Sequence, residues 1–233
     1  TGDSRSFGAG MRDFLLIKTD ANGDVQWARA YGGIQEDWPF SLQQTSDGGY
    51  IVAGYTRSFG AGDLDILLIK TDADGNLQWA RTYGGTGRDS AYSVQQTSDG
   101  GYIVGGFTNS FGAGPRTLLL IKTDASGNLQ WAVTYGGSGD DGTFSVQQTS
   151  DGGYIVGGIT TSFGMGHHDF FLIKTNAFGN LQWAKTYGGP YWEGIYAVQQ
   201  TTDGGYIVTG DSRSFGAGMR DFLLIKTDAN GDV

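Results

Sequence analysis

Apolar and polar positions along the chain follow a pattern that repeats every 52 residues. Within one repeat, short runs rich in β-forming residues alternate with turns rich in glycine, asparagine and aspartate. The pattern therefore predicts four short strands per repeat, joined as an antiparallel meander. In the repeat that spans residues 89–140, the predicted strands are 92–97, 102–108, 118–122 and 129–135.

The spacing of the repeat is strict. The motif Asp-Gly-Gly-Tyr-Ile-Val begins at Asp47, Asp99, Asp151 and Asp203, with no insertion between copies. Such a period is typical of a propeller, a solenoid or another array of small units. We expect a single repeat domain over 1–233, with residues 1–25 duplicating 209–233. The predicted repeats are 37–88, 89–140, 141–192, and 193–233 completed by 26–36.

The third strand of each repeat is apolar at successive positions, as in residues 66–69 and 118–121. Side chains on both faces of that strand then need burial, which requires a neighbouring sheet on each side. Repeated four-stranded sheets packed face to face are the blades of a propeller. We therefore predict an all-β fold, a β-propeller of four periods plus a duplicated half-blade.

The repeated motifs carry a resemblance. Asp-Gly-Gly-Tyr-Ile-Val-x-Gly, then Leu-Leu-Ile-Lys-Thr-Asp-x-x-Gly-Asn-Leu-Gln-Trp, then Tyr-Gly-Gly resembles the β-propeller repeats of secreted and surface proteins of archaea and bacteria. The motifs are more distantly similar to quinoprotein-type blades, although nothing here matches their quinone-cofactor ligands. The resemblance implies a propeller and an extracellular or cell-surface location, but it implies no reaction.

The composition of the chain argues against several classes of partner and of catalytic site. The chain has 24 acidic and 15 basic residues, a net charge of −9, and no basic run. This charge argues against nucleic acid as a partner, and no stretch is apolar for long enough to insert into a membrane. The chain has no cysteine, which excludes thiolate catalysis and cysteine-ligated metals.

Two of the four connections in each repeat differ between copies, and in a meander both lie at the same end of the sheet. Loops held by a rigid scaffold are common binding sites. On this face one carboxylate is retained in every copy, at Asp37, Asp89, Asp141 and Glu193, and an aromatic residue follows it three positions later. The candidate ligand-binding residues on this loop face are Asp37, Trp38, Asp89, Asp141, Trp192 and Glu193.

Two interpretations of these acids remain open. The carboxylates can cap loop amides while the aromatic residues pack between blades. Alternatively, they can form equivalent sites for sugar hydroxyls, with Trp38, Tyr191 and Trp192 as stacking faces. A third set, the paired glutamines of the first strands such as Gln43 and Gln44, is expected to line the propeller axis.

Metal and catalytic sites have weaker support. Asp20-x-Asn22-x-Asp24 has the spacing of calcium ligands, but other copies lose it and a hairpin turn explains them all. His167 and His168 occur in one copy only. We expect no metal, no cofactor and no enzymatic activity.

The predicted function is a non-enzymatic structural or protein-interaction module, with a multivalent lectin-like propeller as the alternative. Its expected partners are proteins or copies of itself, and the lectin-like alternative would bind glycans. The duplicated ends add one further expectation. The strand at 221–227 can pair with 26–31 to close the ring, while 1–25 competes for the same place and favours head-to-tail exchange between chains.

Overall fold

A computed structural model describes all 233 residues, and every regular element in it is a β-strand. The strands are arranged in five antiparallel sheets, which we call blades 1 to 5. Blade 1 contains β1 (Gly2–Ser4), β2 (Asp13–Thr19) and β3 (Val25–Tyr31). Blade 2 contains β4 (Asp37–Gln44), β5 (Tyr50–Thr56), β6 (Asp65–Thr71) and β7 (Leu77–Tyr83).

The remaining blades repeat this arrangement. Blade 3 contains β8 (Asp89–Gln96), β9 (Tyr102–Thr108), β10 (Thr117–Thr123) and β11 (Leu129–Tyr135). Blade 4 contains β12 (Asp141–Gln148), β13 (Tyr154–Thr160), β14 (Asp169–Thr175) and β15 (Leu181–Tyr187). Blade 5 contains β16 (Glu193–Gln200), β17 (Tyr206–Ser212) and β18 (Asp221–Thr227). The prediction of four-stranded antiparallel meanders is confirmed for blades 2, 3 and 4.

The chain divides into two compact units. The first comprises residues 1–104 and 123–128, and the second comprises 105–122 and 129–233. The boundary passes through β9, so it does not coincide with the end of a repeat. A single domain over 1–233 stays a prediction. No helix has the length and hydropathy needed to cross a lipid bilayer.

The third strand of each central blade is buried along its whole length, as its two apolar faces predicted. All seven residues of β6 are buried, as are all seven of β14. In the first unit, Leu67 and Ile69 on one face of β6 pack with Phe14 of blade 1. In the second unit, Phe170 and Leu172 of β14 pack with Ile195 and other residues of blade 5. Adjacent blades therefore share their cores.

The first strand of blades 2 to 5 is longer than the sequence predicted. In blade 3 it begins at Asp89 rather than Tyr92, so the retained acid is the first residue of the strand. In blades 2, 4 and 5 the pairing register shifts at the retained aromatic residue. Each shift is a β-bulge with Phe40, Phe144 or Tyr196 as its extra residue, which turns that ring away from its place in the alternation.

The two ends of the chain pair differently from the proposed closure. β3 pairs with β2, in a register that places Leu15 opposite Ala30. β18 pairs with β17 and forms one edge of blade 5. The N-terminal copy of the duplicated strand therefore fills the place beside β3 that was assigned to residues 221–227.

Candidate functional site

The four retained acids lie buried at the start of the first strand of blades 2 to 5. Asp37 Oδ2 accepts hydrogen bonds from Gly33 N and from Ser58 Oγ, each at 2.8 Å. Asp141 Oδ2 accepts from Gly137 N at 2.9 Å and Ser162 Oγ at 2.7 Å. The set is Asp37, Asp89, Asp141 and Glu193, each at most 1% exposed.

These contacts show the loop-capping arrangement. The carboxylates hold the Gly-Gly segment of one blade and the Ser-Phe-Gly loop of the next. A sugar hydroxyl in solvent cannot reach a carboxylate that is buried beneath its own loops. A direct ligand contact by these acids therefore stays a prediction without geometric support, and the exposed parts of the same loops carry the candidate site.

A second row of acids, which the sequence analysis missed, begins the strand after the Ser-Phe-Gly loop in blades 1, 2, 4 and 5, and all of them except Asp221 are buried. Asp65 Oδ2 accepts from Gly62 N at 2.9 Å, and Asp169 Oδ2 accepts from Met165 N at 3.0 Å. The signal was present in the sequence, because an aspartate precedes the apolar run in every copy except the one with Thr117. The row comprises Asp13, Asp65, Asp169 and Asp221.

The loop face is built from four short parallel β-bridges, two in each unit. Each joins the residue before the third strand of one blade to the residue before the first strand of the next. The backbone bonds are alike: Asp37 N donates to Arg12 O and Glu193 N to His168 O, both at 2.8 Å. The bridged pairs are Arg12 with Glu36, Leu64 with Arg88, Arg116 with Asp140, and His168 with Trp192. One backbone geometry thus presents four different side-chain pairs.

In the first unit this face carries alternating charges. Glu36 lies 3.9 Å from Arg12 Nε and 3.9 Å from Arg57 Nε, and Asp63 lies 3.0 Å from Arg57 Nη1 and 2.6 Å from Arg88 Nε. The hydrogen bond from Arg88 lowers the pKa of the Asp63 carboxyl. Because cations and anions alternate, the row neutralises itself and leaves no single-sign patch.

Trp38 in the first unit does not offer a free stacking face. The Arg12 guanidinium carbon lies 4.4 Å from its ring centroid, a cation–π contact. Tyr55 stacks with the same ring at 6.5 Å between centroids. The neighbouring bulge residue Phe40 packs against Tyr92 at 4.7 Å. The aromatic residues of this junction are therefore largely engaged with one another.

In the second unit the corresponding junction is aromatic and open. His168 packs on Trp192 with ring centroids 4.1 Å apart, and His167 lies 5.9 Å from the same ring. Trp192 remains 44% exposed and Tyr191 58% exposed. Burial lowers the pKa of His168, and the Asp140 carboxylate partly opposes that shift. Both histidines therefore support an aromatic surface rather than forming a separate pair.

The turns with calcium-like spacing have another explanation. Asp20 Oδ1 accepts from Asn22 N at 2.9 Å and Asp24 N at 3.0 Å, so the aspartate closes its own turn. Asp72 does the same with Asp74 N and Asn76 N. No group of three or more Asp, Glu, His or Cys side chains is arranged to hold a metal ion.

The paired glutamines connect neighbouring first strands. Gln43 Oε1 accepts from Gln96 N at 2.5 Å, and Gln96 Oε1 accepts from Ser46 N at 2.8 Å. In the second unit, Gln147 and Gln200 repeat these bonds. The glutamine side chains thus join the first strands of adjacent blades.

Apolar grooves between adjacent blades were also missed. One in the first unit, of about 490 Å³, is lined by Tyr31, Phe59, Leu67 and Leu77 among others. Its equivalent in the second unit, of about 440 Å³, is lined by Tyr135, Phe163, Phe171 and Leu181 among others. The available sequence signal was the phenylalanine of each Ser-Phe-Gly loop, and these rings are about half-exposed in the structure.

Comparisons with known proteins support the fold more than the function. No family model matches the chain. It is 31% identical over 114 residues to the regulatory protein FlaEY of Caulobacter vibrioides, a match that covers 43% of this chain and 12% of that protein. The chain thus spans about an eighth of the length of that relative.

Two solved structures have a similar fold over most of the chain. A Bacteroides caccae protein of unknown function aligns with a TM-score of 0.50 at 10% identity, covering 94% of this chain and 73% of its own. The WD40 domain of Neurospora crassa Pan2 aligns with a TM-score of 0.51 at 10% identity, covering 86% of this chain and 57% of its own. The chain therefore has a propeller-like fold of repeated blades.

Proposed function

We propose that the chain is a non-enzymatic scaffold that binds a protein partner through the side chains displayed by its β-bridges. One observation carries the proposal: the four bridges keep one backbone geometry, while no two of them carry the same pair of side chains. A scaffold whose frame is constant and whose display varies is suited to recognition. The buried, hydrogen-bonded carboxylates provide the frame and are not required for chemistry.

The second unit supplies the most suitable contact surface. Tyr191 and Trp192 are exposed, and aromatic residues of this kind dominate the energetics of protein interfaces. Their loop is fixed by backbone bonds, since His167 N donates to Tyr191 O at 3.1 Å and Arg213 N donates to Trp192 O at 2.9 Å. Little conformational entropy would then be lost when a partner binds.

A lectin-like role is the second candidate. The exposed rings of Tyr191 and Trp192 favour it, because sugars stack on such faces. The burial of Glu193 and Asp169 counts against it, because neither carboxylate is exposed to a sugar stacked on these rings. A glycan array probed with the intact chain distinguishes the two roles, since a sugar-specific signal lost on replacing Trp192 would favour the lectin.

The location we propose is extracellular or at the cell surface, and it rests on the resemblance of the repeats. We further propose self-association of the 233-residue polypeptide. Phe222 and Leu224 on β18 are 77% and 59% exposed, whereas the equivalent Phe170 and Leu172 are buried against a following blade. The open face of β18 thus fits another blade of the same kind.

The interaction proposal is tested by paired variants. Tyr191→Ser with Trp192→Asp removes the aromatic display and introduces the acid that the equivalent bridge position has at 140. Phe178→Ser removes an exposed aromatic residue from the turns at the other end of the sheet. Partners captured by the intact chain are purified and titrated by calorimetry. We expect the first variant to weaken binding by more than about tenfold, and the second to leave it unchanged. Equal affinities for both would refute the assignment of the surface.

A further inference from the structure

Buried carboxylates meet in pairs where one blade joins the next. An ideal Cβ on Gly32 would lie 2.0 Å from Asp13 Oδ1 and 2.6 Å from Asp37 Oδ2. In the second unit, a Cβ on Gly188 would lie 1.9 Å from Asp169 Oδ1 and 2.7 Å from Glu193 Oε2. The two oxygens of each pair are therefore less than about 5 Å apart, a separation at which like charges repel strongly in a buried site.

The first pair lacks a compensating positive charge. Asp13 Oδ2 accepts a hydrogen bond from Gly10 N. The other oxygen, Asp13 Oδ1, is buried on the side of Asp37 and has no hydrogen-bond partner. Asp37 Oδ1 is likewise without a partner. Both residues are fully buried, and neither forms an ion pair. Buried charges in proteins are normally paired or coordinate a metal, so this arrangement calls for a cation.

We infer that each carboxylate pair binds one calcium ion: Asp13 with Asp37, Asp169 with Glu193, and Asp65 with Asp89, which flank Gly84 in the same way. The donors are all oxygen, which selects a hard cation, and two carboxylates balance a divalent charge. Calcium accepts irregular oxygen geometry, whereas magnesium demands a near-ideal octahedron. The remaining ligands would be loop carbonyls or water, because no third acid or histidine joins the pair.

The chain contains its own comparison site. At the junction of blades 3 and 4, Thr117 takes the place of the first aspartate, and the three atoms nearest to a Cβ on Gly136 all belong to Asp141. One carboxylate there is held by Gly137 N and Ser162 Oγ and needs no divalent ion. We therefore expect about three ions per chain, with none at this junction.

The test uses the whole 233-residue chain after a chelator has removed bound metal ions. Calcium chloride is titrated into this protein by calorimetry, and its melting temperature is measured with and without calcium. Binding to the folded state alone should raise the melting temperature. Asp13→Thr and Asp169→Thr, each of which installs the residue used at 117, should each remove one ion. Thr117→Asp should add one. Asp24→Asn, in an exposed turn, is the matched control and should change nothing.

Several results would overturn the inference. One is the absence of both binding heat and any calcium-dependent rise in melting temperature in the unaltered chain. Another is a number of bound calcium ions per chain that is unchanged in both threonine variants but lower in Asp24→Asn. That result would place the ions in the turns. If a threonine variant fails to fold by circular dichroism, Asp13→Asn keeps the shape and the bond to Gly10 while removing one charge, and it must then lose one ion.

Discussion

Trp131 in the last strand of blade 3 meets Tyr154 of blade 4 edge-on, with ring centroids 5.8 Å apart and planes inclined at 62°. The indole also covers Gly179 of blade 4, where an added Cβ would lie 2.9 Å from Trp131 Cζ3. Tyr135 reinforces the contact by donating to Gly179 O. The same arrangement recurs where Trp27, Trp79 and Trp183 meet Tyr50, Tyr102 and Tyr206.

Removing this indole should weaken the junction of the two blades. Trp131 is half-buried, so Trp131→Ala should cost about 2–4 kcal/mol of unfolding free energy, toward the low end for a large aromatic residue. Urea denaturation followed by circular dichroism measures the loss. Trp192→Ala, at an exposed tryptophan, is the control and should change stability by less than about 0.5 kcal/mol. Equal effects of the two would contradict the role of Trp131.

The tryptophan contacts could be predicted from the sequence because they depend on the repeat alone. Every repeat has a tryptophan at the position of Trp131, so each of these residues is expected to meet the same part of the next repeat. The bulge at Phe40 and the early start of β8 at Asp89 could not be predicted in this way. They depend on a pairing register between strands, and one extra residue in a strand leaves no distinctive composition.

Glycine is required where it separates the paired carboxylates. Gly188→Ala would place a methyl group 1.9 Å from Asp169 Oδ1 and should cost about 1–3 kcal/mol through overpacking. In Gly142→Ala the nearest neighbour of the methyl group, an Arg116 nitrogen, is 3.3 Å away. We expect Gly142→Ala to be tolerated in the same denaturation assay. Comparable losses for both would mean that the contact with the carboxylate does not set the requirement.

Stability should fall in acid because lysine–aspartate pairs join the third strand to the turn between the first and second strands. Lys70 Nζ lies 2.9 Å from Asp47 Oδ2, and its hydrogen bond lowers the pKa of Asp47 to about 2. Burial opposes the shift at Asp151, but the bonds from Lys174 and Thr149 hold its pKa at about 2 as well.

The direction of the pH effect follows from these shifts. A carboxyl whose pKa is lower in the folded state than its ordinary 3.8 stabilises the fold above that value, and the gain is lost as the pH falls toward about 2. Unfolding free energies measured from pH 6 to pH 2 should show this decline. Asp47→Asn with Asp151→Asn should flatten it, and an unchanged slope in that variant would assign the acid sensitivity to other groups.

The candidate site was predicted only in part. Comparison of the repeats found the variable loops, because their residues differ between copies while the strand and turn motifs stay the same. It could not separate Trp38, whose faces are covered by Arg12 and Tyr55, from the exposed Trp192. That difference depends on which residues lie across a bridge, a tertiary contact that no single repeat encodes.

The duplicated segments lead to the last prediction, which concerns the strand beside β3. Leu15 lies opposite Ala30, and Leu223 is the equivalent residue of the C-terminal copy. Directly opposite residues of an antiparallel pair are about 4.5–5.5 Å apart, within reach of a disulfide. Since the chain has no cysteine, Leu15→Cys with Ala30→Cys and Leu223→Cys with Ala30→Cys can be oxidised without background. The first pair should cross-link rapidly within one chain.

The second pair tests whether copies associate by strand exchange at β3. If β18 of one copy displaces β2 from β3 of another, the Leu223→Cys, Ala30→Cys variant should form covalent dimers and longer ladders whose yield rises with protein concentration. Such a head-to-tail contact is heterologous, so it can extend or close into a ring. A cross-linked monomer would show instead that the ring closes within one chain. No cross-link at any concentration, with the first pair intact, would show that the C-terminal copy does not compete for β3.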